Sequence, residues 1–302
     1  MNSPEQQSSP KAKKSVALSG VVAGNTAVCT VGRSGNDLHY RGYDIKDLAE
    51  HATFEEVAYL LVYGELPTAS ALRAYVAKLK RLRGLPQPVK AALELLPAST
   101  HPMDVMRTGC SVLGTVLPER DSHPVAEARD IADRLMASFG SMLLYWYHYS
   151  HNGRRVEVET GDETIAAHFL HVLHGRPPSA LHARALDQSL ILYAEHEFNA
   201  STFAARVIAG TNSDFYSAIT GAIGALRGPK HGGANEVAME IIARYRSADE
   251  AEADIRARME RKEIIIGFGH PVYTIGDPRN PIIKSISKRL CEAGDNNRLF
   301  DV

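Results

Sequence analysis

The chain has 302 residues, 44% of them hydrophobic and 23% charged, enough to bury one or two cores and too apolar for disorder as the global state. Lys and Arg number 34 against 35 Asp and Glu, a formal net charge of -1, so there is no basic surplus to lay along a nucleic acid. Cys29, Cys110 and Cys291 lie far apart with no paired spacing, which excludes a disulfide framework or a cysteine zinc site and suits a reducing cytoplasm.

Residues 1–14 are rich in Ser, Gln, Pro and Lys, contain no apolar signal segment, and read as a disordered tail. The Val- and Thr-rich stretch Val21 to Val31, with Gly24-Asn25 placed to turn the chain, predicts a short β-hairpin. Helix signals then take over. Thr53-Phe54-Glu55-Glu56 is a capping box, in which the hydroxyl accepts an early backbone N–H and the second glutamate reaches back; Gly64 and Pro67 end that helix. Leu72, Tyr75, Val76, Leu79 and Leu82 recur at helical spacing, and the interleaved Lys78, Lys80, Arg81 and Arg83 are expected on a solvated face.

Further helices are predicted from Met103 to Leu117, Val125 to Tyr149, Thr164 to His174, Ser179 to Glu195, Ser201 to Ala209 and Asp214 to Leu226. Beyond Gly228 come Asn235 to Tyr245, a second capping box at Ser247-Ala248-Asp249-Glu250 leading to about Lys262, and Pro281 to Ala293. The longest apolar stretch, near Met142 to Trp146, is too short to span a bilayer. Gly228, Gly232 and Gly233 surround a proline where one helix stops, which suggests a hinge. The reading is nearly all α, without the strand–helix alternation of a doubly wound sheet.

Among the thirteen histidines, His168, His171 and His174 step around one helix and do not form HExxH; they, with His39, His148 and His151, are assigned to packing or surface, and no metal is expected. Three others sit at helix breaks: His196 in Glu195-His196-Glu197-Phe198-Asn199, His231 in Gly228-Pro229-Lys230-His231-Gly232-Gly233-Ala234-Asn235-Glu236, and His270 in Gly267-Phe268-Gly269-His270-Pro271-Val272-Tyr273. A histidine flanked by glycines stands where backbone can approach a ligand and where its ring is not committed to a helix face. Asp277-Pro278-Arg279 follows the last of them, and a guanidinium fork fits a carboxylate with two parallel hydrogen bonds.

These segments, with His39 to Ile45 and His101-Pro102-Met103-Asp104-Val105-Met106-Arg107-Thr108, resemble citrate synthases and, within that family, its 2-methylcitrate branch; the resemblance runs from about Lys13 to the last residue. It implies an all-α, two-domain fold with a minor N-terminal hairpin: a large domain over 15–227 and a smaller one over 228–302, each lacking part of the family's extent. It implies a condensation of propionyl-CoA with oxaloacetate and water to 2-methylcitrate and coenzyme A, with acetyl-CoA as the alternative thioester, no resident cofactor and a homodimer; the cysteine usage and the lack of a signal segment point to the cytoplasm. Membrane and nucleic acid are not expected partners.

By the same resemblance, His231 donates to the thioester oxygen, His270 to the ketone of the second substrate, and His196 and Arg279 hold its carboxylates. Ile264-Ile265-Ile266-Gly267-Phe268 corresponds to the loop around the coenzyme A adenine, and by itself reads as a short buried strand. Thr274 and Ile275 stand where some members carry basic residues for phosphate. The family's general base is an aspartate expected beyond residue 302; Asp295 and Asp301 are outside its motif. A polypeptide ending at Val302 is therefore expected to condense negligibly, since a general base contributes on the order of 10² to 10⁴ in rate. The competing expectation from another class is a non-catalytic ligand-binding derivative. Ala218, Gly221, Ala222, Gly224 and Ala225 give one helix a face of small residues, suited either to a dimer contact or to an internal helix pair.

Overall fold

A computed structural model describes residues 24–267, 272–294 and 298–302. A three-stranded antiparallel sheet comes first: β1 (Cys29–Val31), β2 (Leu38–Tyr40) and β3 (Tyr43–Asp44), with Cys29 opposite Tyr40 and Val31 opposite Leu38. Helices follow: α1 (Ile45–His51), α2 (Phe54–Tyr63), α3 (Ala69–Arg81), α4 (Gln87–Glu94), α5 (Pro102–Val116), α6 (Val125–Asn152), α7 (Ile165–His174), α8 (Ala180–Tyr193), α9 (Ala200–Ala209) and α10 (Phe215–Leu226). The glycine-rich turn leads to α11 (Ala234–Ala243), α12 (Ala248–Glu260), α13 (Asn280–Gly294) and α14 (Arg298–Asp301). The fold is mostly helical, as the sequence predicts. No described helix is long and apolar enough to cross a membrane.

Local chemistry accounts for most helix ends. Thr53 and Glu56 close the capping box of α2, and Gly64 at φ 105° ends it in a left-handed conformation open to glycine without strain. Ser247 caps α12 as expected, whereas Glu250 reaches back to the N–H of Arg246 instead of Ser247, so the second box is only half formed. One core gathers around α4, α5, α6 and α10 with Leu113, Met142, Trp146 and Tyr216. A second joins the sheet to α1, α2 and α8 through Leu38, Tyr40, Leu60 and Ile191, and takes in Tyr273. A smaller cluster of Ile241, Tyr245, Ala251 and Ile265 lies beyond the glycine-rich turn.

Two local expectations are corrected, and a third falls partly outside the described residues. The described hairpin is β1 paired with β2 through a turn over residues 32–37, where Gly32 and Gly35 supply the positive φ that a tight reversal needs. The hairpin expected over Val21 to Val31, turning at Gly24-Asn25, rests in part on residues 21–23, which lie outside the described set. The basic run is not a uniformly solvated face. Arg83 is buried and donates to the carbonyls of Thr160, Asp162 and Thr164, while Lys78 bridges Asp130 and the buried Asp133. Burial there is compensated by partners, as a charged group requires. Ile264 to Gly267 forms no strand: Ile265 is buried and Ile264 is 88% exposed. Phe268 lies outside the described residues, as does the tail at 1–14.

Arg83 holds an irregular stretch against α7, and two buried titratable groups flank it. Glu55 accepts from the first N–H of α7 at Ile165, 2.7 Å away, and burial pushes its carboxyl up to about 7. His168 bonds Ser141 and Thr160, and burial together with the Arg83 charge pushes its imidazole down to about 4. The raised Glu55 contributes stability below its ordinary 4.5 that is lost as pH rises through about 7. His168 acts in the opposite sense, contributing above 6.5 and losing it as pH falls through about 4. Replacing Glu55→Gln should therefore make unfolding free energy less sensitive to pH across that upper window. The wild-type advantage shrinks with rising pH by an amount on the order of 3 kcal/mol at most. Denaturant unfolding at a series of pH values checks this, and a pH-independent difference contradicts it.

Candidate active site

The loop over residues 194–199, between α8 and α9, carries His196 and leads into the helix on which His231 rests. Tyr40, fully buried on β2, donates its hydroxyl to the carbonyl of Ile191 at 3.0 Å and accepts from the N–H of Glu195 at 3.3 Å, tying the end of α8 to the sheet. Glu197 takes a left-handed φ of 53°, a conformation that costs a side-chain-bearing residue on the order of 1–2 kcal/mol. That turn precedes Asn199, which caps α9 by accepting from the N–H of Thr202.

His231 lies in the turn between α10 and α11, which folds back on the end of α10: Gly233 donates to the carbonyls of Leu226 and Gly228, both at 3.1 Å. A Cβ added at Gly233 would stand 2.6 Å from the Arg227 carbonyl oxygen, so the close backbone approach itself demands glycine. The ring of His231 lies on the first turn of α9. Its Nε2 accepts the backbone N–H of Ser201 at 3.3 Å and contacts the Ser201 hydroxyl at 2.5 Å. A backbone N–H can only donate, so Nε2 is the acceptor and the neutral ring carries its proton on Nδ1. Burial lowers the imidazole below its usual range, and the positive end of α9 disfavours protonation in the same sense.

The segment after the glycine-histidine pair docks on the β1–β2 turn. Thr274 and Ile275 both donate to the carbonyl of Gly35 at 3.1 Å. Tyr273 is buried, and its hydroxyl lies 2.9 Å from His196 Nε2. Arg279 is gripped by Asp277, with Nε at 2.9 Å and Nη2 at 2.6 Å, so the carboxylate engages two of five guanidinium N–H groups. Although burial opposes its charge, Asp277 is held below the usual carboxylate range by that guanidinium. Beyond the turn, Asn235 donates to the Tyr193 hydroxyl at 3.0 Å, and Glu236 pairs with His101, the N-cap of α5, also at 3.0 Å.

The structure thus brings His196 and Arg279 together through Tyr273, and sets His231 on the helix that begins four residues after His196. His270 lies outside the described residues. Ser201, Tyr273 and Asp277 are partners that the motif reading did not single out, although Asn199-x-x-Thr202 marks a helix start with unpaired N–H groups. Cavities of about 420 and 860 Å³ lie elsewhere, at the α5–α10 contact and beyond the end of α6, away from these rings.

A helical chain that sets an uncharged imidazole on a helix N-terminus, beside a loop carrying a histidine linked to a guanidinium, has the groups of an enzyme that polarises carbonyl compounds. A family model described as the citrate synthase C-terminal domain matches residues 17–302. A 2-methylcitrate synthase of Shewanella oneidensis is 59% identical over 285 residues, covering 94% of this chain and 75% of that protein. A 2-methylcitrate synthase of Mycobacterium tuberculosis is 41% identical across the whole chain and 76% of its own length. The citrate synthase of Thermoplasma acidophilum, solved as a ternary complex with carboxymethyl coenzyme A and oxaloacetate, superposes with a TM-score of 0.86 at 29% identity, covering 95% of this chain and 76% of that one. The chain belongs to the citrate synthase family, and it is an acyltransferase that forms a carbon–carbon bond.

The docking of the two glycine-bearing segments is directly testable. Gly32 has φ 64°, and an added Cβ would stand 2.7 Å from Val272 Cγ1 and 3.1 Å from the Val272 carbonyl oxygen. Gly32→Ala should cost about 1–3 kcal/mol in unfolding free energy. A neutral or stabilising result in denaturant unfolding contradicts the close approach.

Proposed function

We propose that the enzyme condenses propionyl-CoA with oxaloacetate and water, forming 2-methylcitrate and free coenzyme A. The observation that carries the chemistry is the contact of His231 Nε2 with the backbone N–H of Ser201, which leaves the proton of the neutral ring for Nδ1. The proton on the carbon beside a thioester is very weakly acidic. Its removal needs a donor to meet the negative charge growing on the thioester oxygen, and a neutral imidazole with one fixed N–H supplies that donor. The proton itself passes to a carboxylate, by resemblance that of an aspartate. The enol carbon attacks the oxaloacetate ketone, polarised by His270, while His196 and Arg279 hold the carboxylates. Water then cleaves the thioester of the condensed product. Coenzyme A enters within the substrate and leaves as product, and no resident cofactor is called for.

The choice of propionyl-CoA rests on the 59% identity to a protein named 2-methylcitrate synthase. One methylene on the acyl group changes binding by about 1–3 kcal/mol, so acetyl-CoA is expected as the weaker substrate. The two-lobe organisation, 15–227 and 228–302, is supported by the separate cluster of Ile241, Tyr245, Ala251 and Ile265, although α13 rests on α8. Exposed Ile264 suits the contact with the coenzyme A adenine that the resemblance gives to Ile264-Ile265-Ile266-Gly267-Phe268.

The small-residue face of α10 is used within the chain: a Cβ at Gly221 would overlap Ile208 of α9. A homodimer would use a neighbouring surface. α9 buries no residue within the chain and exposes Phe203 and Val207, so a second copy seated there would remove that apolar surface from water. Free cysteines, two of them buried, suit a cytoplasmic setting.

Steady-state kinetics on enzyme expressed from the complete reading frame test the reading. The kcat/KM for propionyl-CoA should exceed that for acetyl-CoA, and His231→Gln should lower kcat by about 10²–10³ with little change in the KM for oxaloacetate. A preference for acetyl-CoA, or full activity in the His231 variant, contradicts it.

A further inference from the structure

The resemblance assigns His196 and Arg279 to a carboxylate-bearing substrate and says nothing of what holds these two side chains in register. They come from opposite sides of the glycine-rich turn: His196 from the α8–α9 loop, Arg279 from the segment leading into α13. A dicarboxylate clamp needs both placed to within a fraction of an ångström before the ligand arrives, because each misplacement lowers the gain from the other. One side chain touches both. Tyr273 places its hydroxyl 2.9 Å from His196 Nε2, its ring meets the imidazole edge-on with centroids 5.5 Å apart, and the Arg279 guanidinium stands 6.0 Å from the centre of the same ring.

Tyr273 is itself fixed from below. It packs in the cluster that contains Cys29, Leu38 and Tyr40, and the residues on either side of it are docked on the β1–β2 turn, Val272 against Gly32 and Thr274 on the Gly35 carbonyl.

We propose that Tyr273 is a positioning residue for the dicarboxylate subsite, setting the orientation of His196 through its hydroxyl beside the Arg279 that Asp277 holds. The N-terminal sheet thereby acts on oxaloacetate affinity without touching the ligand. The proposal rests on the assignment of His196 and Arg279 to the dicarboxylate, and the experiment separates the two. Tyr273→Phe keeps the ring, the packing and the guanidinium contact and deletes only the hydroxyl.

In titration calorimetry on the chain with oxaloacetate and, separately, with coenzyme A, the variant should weaken oxaloacetate binding about tenfold and leave coenzyme A within about twofold. The ¹⁵N resonances of the His196 ring should shift with the lost partner, a readout that general loosening of the fold does not produce. Unchanged oxaloacetate affinity in Tyr273→Phe, while His196→Asn loses it, overturns the positioning role and leaves the subsite assignment standing. Equal losses for oxaloacetate and coenzyme A also overturn it, since they report a structural role. Unchanged oxaloacetate affinity in His196→Asn removes the assignment on which the proposal stands.

Discussion

The imidazole of His231 can offer a donor from Nδ1 because its other nitrogen is occupied by the backbone N–H of Ser201. The first turn of any helix presents N–H groups without intrahelical partners, and such groups must find an acceptor or water. In α9 the Asn199 side chain takes the N–H of Thr202 and the His231 ring takes that of Ser201. The same contact does three things: it satisfies the helix, fixes the tautomer, and sets the ring against the positive end of a helix, where a cation is disfavoured. Burial adds to the last effect. The rest of the site is arranged so that this ring and the loop before α9 are held in place.

That holding is done by elements distant in sequence. The small N-terminal sheet contributes Tyr40, which ties the end of α8 to Glu195, and the Gly32 to Gly35 turn, on which the segment 272–275 lies. The glycines of the later turn serve a related purpose, letting the chain fold against the carbonyls of Leu226 and Arg227 so that His231 faces α9. The loop carries strain of its own: Glu197, next to His196, adopts a left-handed conformation that flanking anchors must sustain. Beyond that turn, Asn235 and Glu236 tie the start of α11 to Tyr193 and His101, so the imidazole is supported on both sides.

Much of this was legible in the residues. Helical periodicity and capping chemistry are local properties, and α2, α5, α7, α9 and α10 begin and end within a residue or two of the expected positions. The motif segments marked His196, His231 and Arg279; His196 and Arg279 flank Tyr273, and His231 rests on the first turn of α9. What could not be read was what depends on contacts between distant residues. The strand Cys29–Val31 pairs with Leu38–Tyr40, a partner beyond the stretch that composition marked as β. Arg83 looked like one more cation on a solvated helix face because its partners, three carbonyls about eighty residues on, are invisible to local pattern. Ile264 to Ile266 read as a buried strand from composition, and only the packing of Ile265 against Ile241 and Tyr245 decides which of the three goes inside. Tyr273 escaped notice for the same reason: its importance lies in what it touches.

Near neutrality His231 is uncharged, with its proton on Nδ1. Nitrogen-15 NMR of the ring, titrated through pH 5 to 8, reads both properties at once. A neutral Nδ1–H tautomer at pH 7 is expected, with protonation of Nε2 only below the ordinary histidine range. A ring that is cationic at pH 7, or neutral with its proton on Nε2, would overturn this assignment.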